Sequence, residues 1–176
     1  YFETLVRELQ ATEWGKDRNI LILAEDWPDG LPASLQRLDV VQVYGSGATE
    51  DGLMMADAAR AAAIIVLARE AEFQSDAITF DIVHRLRALG LEGPVLAECV
   101  DDRNRKRIRA AGASAVLRPM RGYPEMMVRA VIAPGSEQII VDLFTSGGDE
   151  CVRYDVAITG VSWGVLAASL IGKDVG

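Results

Sequence analysis

Residues 60–76 read Arg60-Ala-Ala-Ala-Ile-Ile-Val-Leu-Ala-Arg-Glu-Ala-Glu-Phe-Gln-Ser-Asp76. The apolar run from Ala61 to Ala68 carries no alternation, which predicts a strand buried on both faces, as in a parallel sheet. It breaks into a polar loop holding Arg69, Glu70 and Glu72. A helix is predicted over Ser75 to Leu89, with Ser75 as its cap and Ala77, Phe80, Val83 and Leu86 as its inward stripe. A strand that empties into a polar loop ahead of a helix delivers that loop to a ligand crevice.

The same unit recurs on both sides. Strands are expected at Asn19–Ala24, Asp39–Tyr44, Pro94–Glu98 and Ala115–Leu117. The first ends on Glu25 and Asp26, the second on Gly45-Ser46-Gly47, and Pro119 stops the last. Helices are expected at residues 1–11, around Ala33–Arg37, at Thr49–Ala59 behind a Thr49 cap, and at Asp101–Ala111, Tyr123–Ile132 and Glu137–Phe144. Asp101–Ala111 is acidic at its start and basic further on, as the helix dipole prefers. Ser146-Gly-Gly148 reads as a linker, Cys151–Val156 as a half-exposed strand, and residues 157–176 as Gly-rich sequence without a strong element. Strand and helix alternate at about 25-residue spacing, which specifies an α/β, Rossmann-like, doubly wound parallel sheet with right-handed crossovers. The helix over residues 1–11 has no start signal before Tyr1, so something upstream is expected to be missing from view.

Half of the 176 residues are hydrophobic and 25% are charged, enough for a sizeable core. A formal net charge of −8 disfavours nucleic acid and leaves room for a divalent cation or a basic protein. Two isolated cysteines and one histidine argue against a Cys/His zinc site and fit a reducing compartment. The longest apolar candidate, Val161 to Ile171, falls short of the roughly 18–20 residues a membrane helix needs.

Candidate site residues lie at the strand ends. Glu25 and Asp26 stand where an acid binds a ribose, or they simply open a solvated loop or cap a helix. Gly45, Ser46 and Gly47 lack the third glycine of a dinucleotide fingerprint, Glu50 standing in its place. A tight turn accounts for both glycines; turn amides that cradle an anion are the other reading. Arg69 completes this cofactor-binding set. Glu70, Glu72, Asp76 and Glu98 could supply the oxygen ligands that a hard cation such as Ca2+ requires, but their spacing fits no fixed calcium loop and a solvated acidic loop is the better reading. His84 reads as a surface or groove residue, Cys99 as a small core residue, and Arg103–Arg109 as a solvated helix face. Met54/Met55 and Met126/Met127 read as core packing, the second pair equally as a subunit contact. No nucleophile–base set stands out, so no enzyme is expected.

The chain resembles the RCK (regulator of potassium conductance) domains, also called Trk-type nucleotide-binding domains. The likeness is carried by Asn19-Ile-Leu-Ile-Leu-Ala-Glu-Asp26, Gly45-Ser-Gly-Ala-Thr-Glu-Asp-Gly-Leu53, Ala56–Ala68, Pro94–Glu98 and Ala111-Gly-Ala-Ser-Ala-Val-Leu-Arg-Pro119. Ile64–Ala68 with Gln74-Ser-Asp76 looks most like the Castor and Pollux ion channels and their bacterial relatives. The resemblance covers about residues 1–156 and makes residues 1–11 the helix after the family's first strand, with that strand and its glycine loop not included. It implies a Rossmann-like lobe with dimerisation helices over 1–145, then a linker and the start of a smaller lobe over 146–176. It further implies the cytoplasmic domain of a membrane protein: a module that gates a potassium channel, pairs through residues 123–144 and assembles into a ring. NAD, ADP or Ca2+ are the implied ligands. The family's ribose acid aligns near Ala24, beside Glu25. A calcium-gated member's ligands align with Leu67, Glu98 and Val100, of which only Glu98 is an acid. Two other readings share the architecture: an NAD(P)-dependent oxidoreductase domain and a soluble regulatory subunit of a potassium transporter.

Overall fold

Helix α1 (Phe2–Ala11) turns Val6 inward and pairs Arg7 with Glu3 on its outer side at 2.9 Å. The computed structural model describes residues 1–69, 74–117, 128, 131–143 and 159–171. After α1 come β1 (Ile20–Ala24), α2 (Ala33–Gln36), β2 (Val40–Tyr44) and α3 (Glu50–Met55). A 3-10 turn at Ala58–Arg60 leads to β3 (Ile64–Val66), α4 (Ser75–Ala88) and β4 (Val95–Glu98). A second 3-10 turn at Asp102–Asn104 runs into α5 (Arg105–Ala110) and β5 (Ala115–Leu117), and two later helices are α6 (Ser136–Leu143) and α7 (Trp163–Ile171).

Every strand pair among the described residues is parallel. β1 pairs with β2, Ile20 opposite Val40 and Ala24 opposite Tyr44. β4 lies between β3 and β5, with Ile64 opposite Val95 and Leu96 opposite Ala115. The ladders form two groups, β1–β2 and β3–β4–β5, as a doubly wound parallel arrangement with its first strand missing would. No backbone hydrogen bond joins β1 to β3 among the described residues. A six-stranded doubly wound sheet has the order 3-2-1-4-5-6, and the break falls where its first strand lies.

Each sheet has its own core. Val6, Ile22, Leu31 and Leu35 are buried beneath β1–β2, with Phe2 and Trp27 packed against them. A larger cluster, including Val66, Val83, Leu86, Val95, Ala97, Cys99, Ile108 and Val116, joins α4 and α5 to β3–β5. Leu23, alternate to Ile22 along β1, packs on that second cluster, so helices cover opposite faces of β1.

Several expectations change in detail. The third strand is shorter than Ala61–Ala68, because Glu98 Oε2 takes the Ala68 N–H that a longer ladder would use. Ser75 does not cap α4: Gln74 occupies that position in helical conformation, and the buried Ser75 Oγ has no hydrogen-bond partner among the described residues. The buried stripe of α4 is Asp76, Thr79, Val83 and Leu86, with Ala77 exposed and Phe80 half-buried. The span 157–176 does hold an element, α7, which the apolar run forms with Gly164 in its first turn. Strand Cys151–Val156, the linker at 146–148, most of helix Tyr123–Ile132, and the boundary at 145 lie outside the described residues.

Two glycines are required by close approach. A Cβ on Gly52 would lie 2.1 Å from the Ser46 carbonyl oxygen, against which α3 begins. Gly112 has φ +118°, and a Cβ there would meet Arg87 Cγ at 2.5 Å. That arginine donates two hydrogen bonds to Gly112 O, one to Leu91 O and one to Gly93 O, tying the α4–β4 loop to the α5–β5 turn.

Candidate functional site

Side chains link the two sheets at the carboxyl ends of their strands. Arg69, beyond β3, sets its Nη2 3.3 Å from Glu25 Oε2 and 4.0 Å from Asp26 Oδ1, beyond β1. From the start of α1 the Tyr1 hydroxyl donates to Glu98 Oε1, while Glu98 Oε2 accepts the Ala68 N–H at 2.8 Å. Glu98 reaches Tyr1 because alternation along β4 puts it on the face opposite Val95 and Ala97, the core residues. Tyr1 as a whole is exposed, but local desolvation of its hydroxyl, with the Glu98 hydrogen bond and charge, pushes it upward, so it remains a donor at neutral pH.

The ion pair is weak by construction. Arg69 is 57% exposed and Glu25 42%, where such pairs contribute about 0–1 kcal/mol. Its guanidinium is therefore only weakly held, and a planar fork of this kind is shaped to pair with carboxylates and phosphates. Ligands of open α/β sheets sit outside the carboxyl ends of the strands, the ends at which Glu25, Asp26 and Arg69 lie.

Gly45, Ser46 and Gly47 sit at the end of β2, against β1: Gly45 N–H donates to Ala24 O at 3.3 Å. Neither glycine has positive φ, so turn geometry does not demand them. They give space instead. A Cβ on Gly45 would meet Met55 and Leu23 at 3.3 and 3.4 Å, and one on Gly47 would meet Ile82 at 3.4 Å. Thr49 caps α3 as expected, accepting the Gly52 N–H at 3.2 Å. Among the described residues no hydrogen bond joins this turn to Glu25, Asp26 or Arg69.

Asp76 is not poised for a cation. Its side chain is buried, and Oδ1 accepts Val100 N–H at 2.7 Å. Oδ2 accepts Asp101 N–H and Asn104 Nδ2, both at 2.9 Å, with the Cys99 thiol 3.7 Å away. Burial pushes this carboxyl up, but the hydrogen bonds from Asn104, Val100, Asp101 and Cys99 outweigh it and hold it below the usual aspartate value. Cys99 answers in the opposite direction: burial, then the adjacent Asp76 charge, pushes its thiol up to about 11. It is a protonated core residue, as expected.

Of the four proposed cation ligands, Glu70 and Glu72 lie outside the described residues. Asp76 faces the α5 side while Glu98 faces Tyr1, and both are already occupied by N–H or O–H donors. No group of three or more metal-ligating side chains comes together among the described residues. A cavity of about 160 Å³ lined by Asp76, Ala77, Asn104, Arg107 and Ile108 is too small for a nucleotide, since such sites run to roughly 300 Å³ or more. His84 is exposed and stacks parallel to Phe80, with centroids 6.3 Å apart. Tyr1, Asn104 and Arg87 were not singled out by the sequence. Helical spacing from α4 could have flagged Asp76 as inward-facing, and with it the need for donors from a neighbouring loop.

No protein-family model and no curated protein matches the chain. Solved structures do match in shape. The TrkA-N domain of the inner membrane protein ybaL from Escherichia coli superposes with TM-score 0.57 at 20% identity, over 73% of this chain and 87% of that domain. The GsuK channel bound to NAD gives 0.56 at 20% identity, over 72% of this chain and 21% of the channel. A point mutant of the GsuK channel gives 0.58 at 17% identity, over 98% of this chain and 48% of that one. The chain has the TrkA-N/RCK fold, at a size well below that of the channel chains. Among the described residues no helix is long and apolar enough to cross a membrane.

Proposed function

We propose that this chain is a ligand-sensing regulatory domain of the RCK type, near the Castor and Pollux channels, which gates a potassium channel and catalyses no reaction. The observation that carries the reading is the Arg69 guanidinium held between Glu25 and Asp26 where the two sheets meet. The fold likeness to a channel bound to NAD in one structure and to ADP in another supports an adenine nucleotide as the ligand class. Ca2+ is the weaker candidate, because the donors on Asp76 and Glu98 occupy the lone pairs a cation would need.

Gating requires subunits that share surfaces. Ile139 on α6 is 65% exposed and Trp163 on α7 78%, apolar area that fits contact with further copies in a ring. Ligand binding would favour one arrangement of that ring over another by its differential affinity for the two. The test is thermal unfolding with NAD, ADP or CaCl2, alongside sedimentation and an NAD(P)H oxidation assay. On this reading a nucleotide raises Tm, the protein self-associates, and no hydride transfer occurs; steady oxidation of NAD(P)H would favour the dehydrogenase reading instead.

A further inference from the structure

Helix α5 and the turn before it carry charge that packing does not explain. Arg103, Arg105, Lys106, Arg107 and Arg109 are five cations within seven residues, all exposed, in a chain of net charge −8. Arg103 pairs with Asp101, and Arg107 lies over the Phe80 ring at 4.4 Å. Arg105, Lys106 and Arg109 enter no ion pair among the described residues. Arg107 and Arg109 suit the end of the helix dipole, but Arg105 and Lys106 stand in the first turn, where it disfavours them. Arg105 and Lys106 also precede Arg109 by four and three residues, so like charges crowd one flank, and Ile108 is the buried residue of α5.

The far side of the molecule has the opposite sign. Residues 1–60 hold eleven Asp and Glu against five Lys and Arg. Glu8, Asp17 and Asp29 are exposed there and enter no ion pair among the described residues. β1 lies toward β3, since its Leu23 packs on the β3–β5 core, which leaves β2 and β5 as the outer strands. α5 packs beside β5, so the cationic strip and the acidic unit lie toward opposite edges.

We propose that copies of this chain dock head to tail, the α5 strip of one against the acidic α1–β2 unit of the next. This rests on the self-association in the proposed function and names its surfaces. A strip of one sign cannot face itself across a two-fold axis without bringing like charges together, so the contact is heterologous, the kind that generates a ring when its rotation closes. The net charge of each copy does not forbid it. At physiological salt charges act over about 8 Å, so the opposite charges at the contact outweigh distant like ones.

The experiment is sedimentation velocity on the full chain at about 0.1 and about 1 M NaCl, where screening lengths are about 10 and 3 Å. Wild type is compared with Arg105→Gln/Lys106→Gln/Arg109→Gln, with Glu8→Gln/Asp17→Asn/Asp29→Asn, and with an equimolar mixture of the two variants. Association of the wild type should weaken about tenfold at the higher salt, and each variant alone should lose about as much. The mixture should form a dimer that grows no further, because each variant keeps one intact surface. The strip variant should melt no lower than the wild type, since it relieves like-charge neighbours. Association that survives in the strip variant or at the higher salt overturns the head-to-tail contact and leaves the ring reading standing. A mixture without dimers overturns it, as does a strip variant that melts lower. A wild type that stays monomeric yet is stabilised by a nucleotide overturns the contact and leaves the ligand reading in place.

Discussion

Replacing Asp76 by Asn should destabilise the protein by about 2–4 kcal/mol at pH 7. The magnitude follows from the donors. The carboxylate accepts Val100 N–H on one oxygen, and Asp101 N–H with Asn104 Nδ2 on the other. Asparagine has one acceptor oxygen and turns an NH2 toward the remaining donor or donors. At least one buried N–H then lacks a partner, at about 1–3 kcal/mol, and the surviving bonds lose their charge assistance. Ala removes all three and should cost more, about 4–6 kcal/mol, a large part of a typical domain's stability. Linkage adds a pH signature. The folded carboxyl lies below its unfolded value near 3.9, so its contribution is complete above about pH 4 and fades as pH falls through the folded pKa. Urea unfolding followed by circular dichroism from pH 7 to pH 2 tests both parts. The wild type and Asp76→Asn should differ most at pH 5–7 and converge in acid. A difference below about 0.5 kcal/mol at pH 7, or one unchanged down to pH 2, refutes the reasoning.

The remaining expectations concern the frame around the site. Arg87→Lys keeps the charge but loses the fork that reaches Gly112, Leu91 and Gly93, and should destabilise by about 1–3 kcal/mol, read from the same urea curves. Cys99 should resist iodoacetamide in the native protein at pH 7–8 and react once urea is added, as peptide mass spectrometry would show; fast native labelling would contradict a buried thiol pushed up to about 11.

How much of this was legible in the sequence depends on the range of the interaction. Runs such as Ile20–Ala24 and Val95–Glu98 announce themselves because a short unbroken apolar run between turn signals suits a parallel strand. Thr49 was legible because a cap is a contact across three residues. The contacts that join distant elements were not legible. Asp76 was read as a ligand-ready acid, yet its carboxylate is taken by partners 24 to 28 residues away. The glycines of Gly45-Ser46-Gly47 suggested turn geometry, and only the positions of Leu23, Met55 and Ile82 reveal them as spacers. Glu25, Asp26 and Arg69 were placed at strand ends correctly, but their mutual pairing needed coordinates.

The central claim is that the strand ends carrying Arg69 take a phosphate-bearing nucleotide. Calorimetric titration of ADP and NAD into the wild type and Arg69→Gln tests it most directly. The account predicts saturable one-site binding by the wild type and a loss of about tenfold on removing the guanidinium, since charged hydrogen bonds contribute about 1.5–3 kcal/mol. Nucleotide binding of equal strength in both proteins, or none in either up to millimolar concentration, would contradict it.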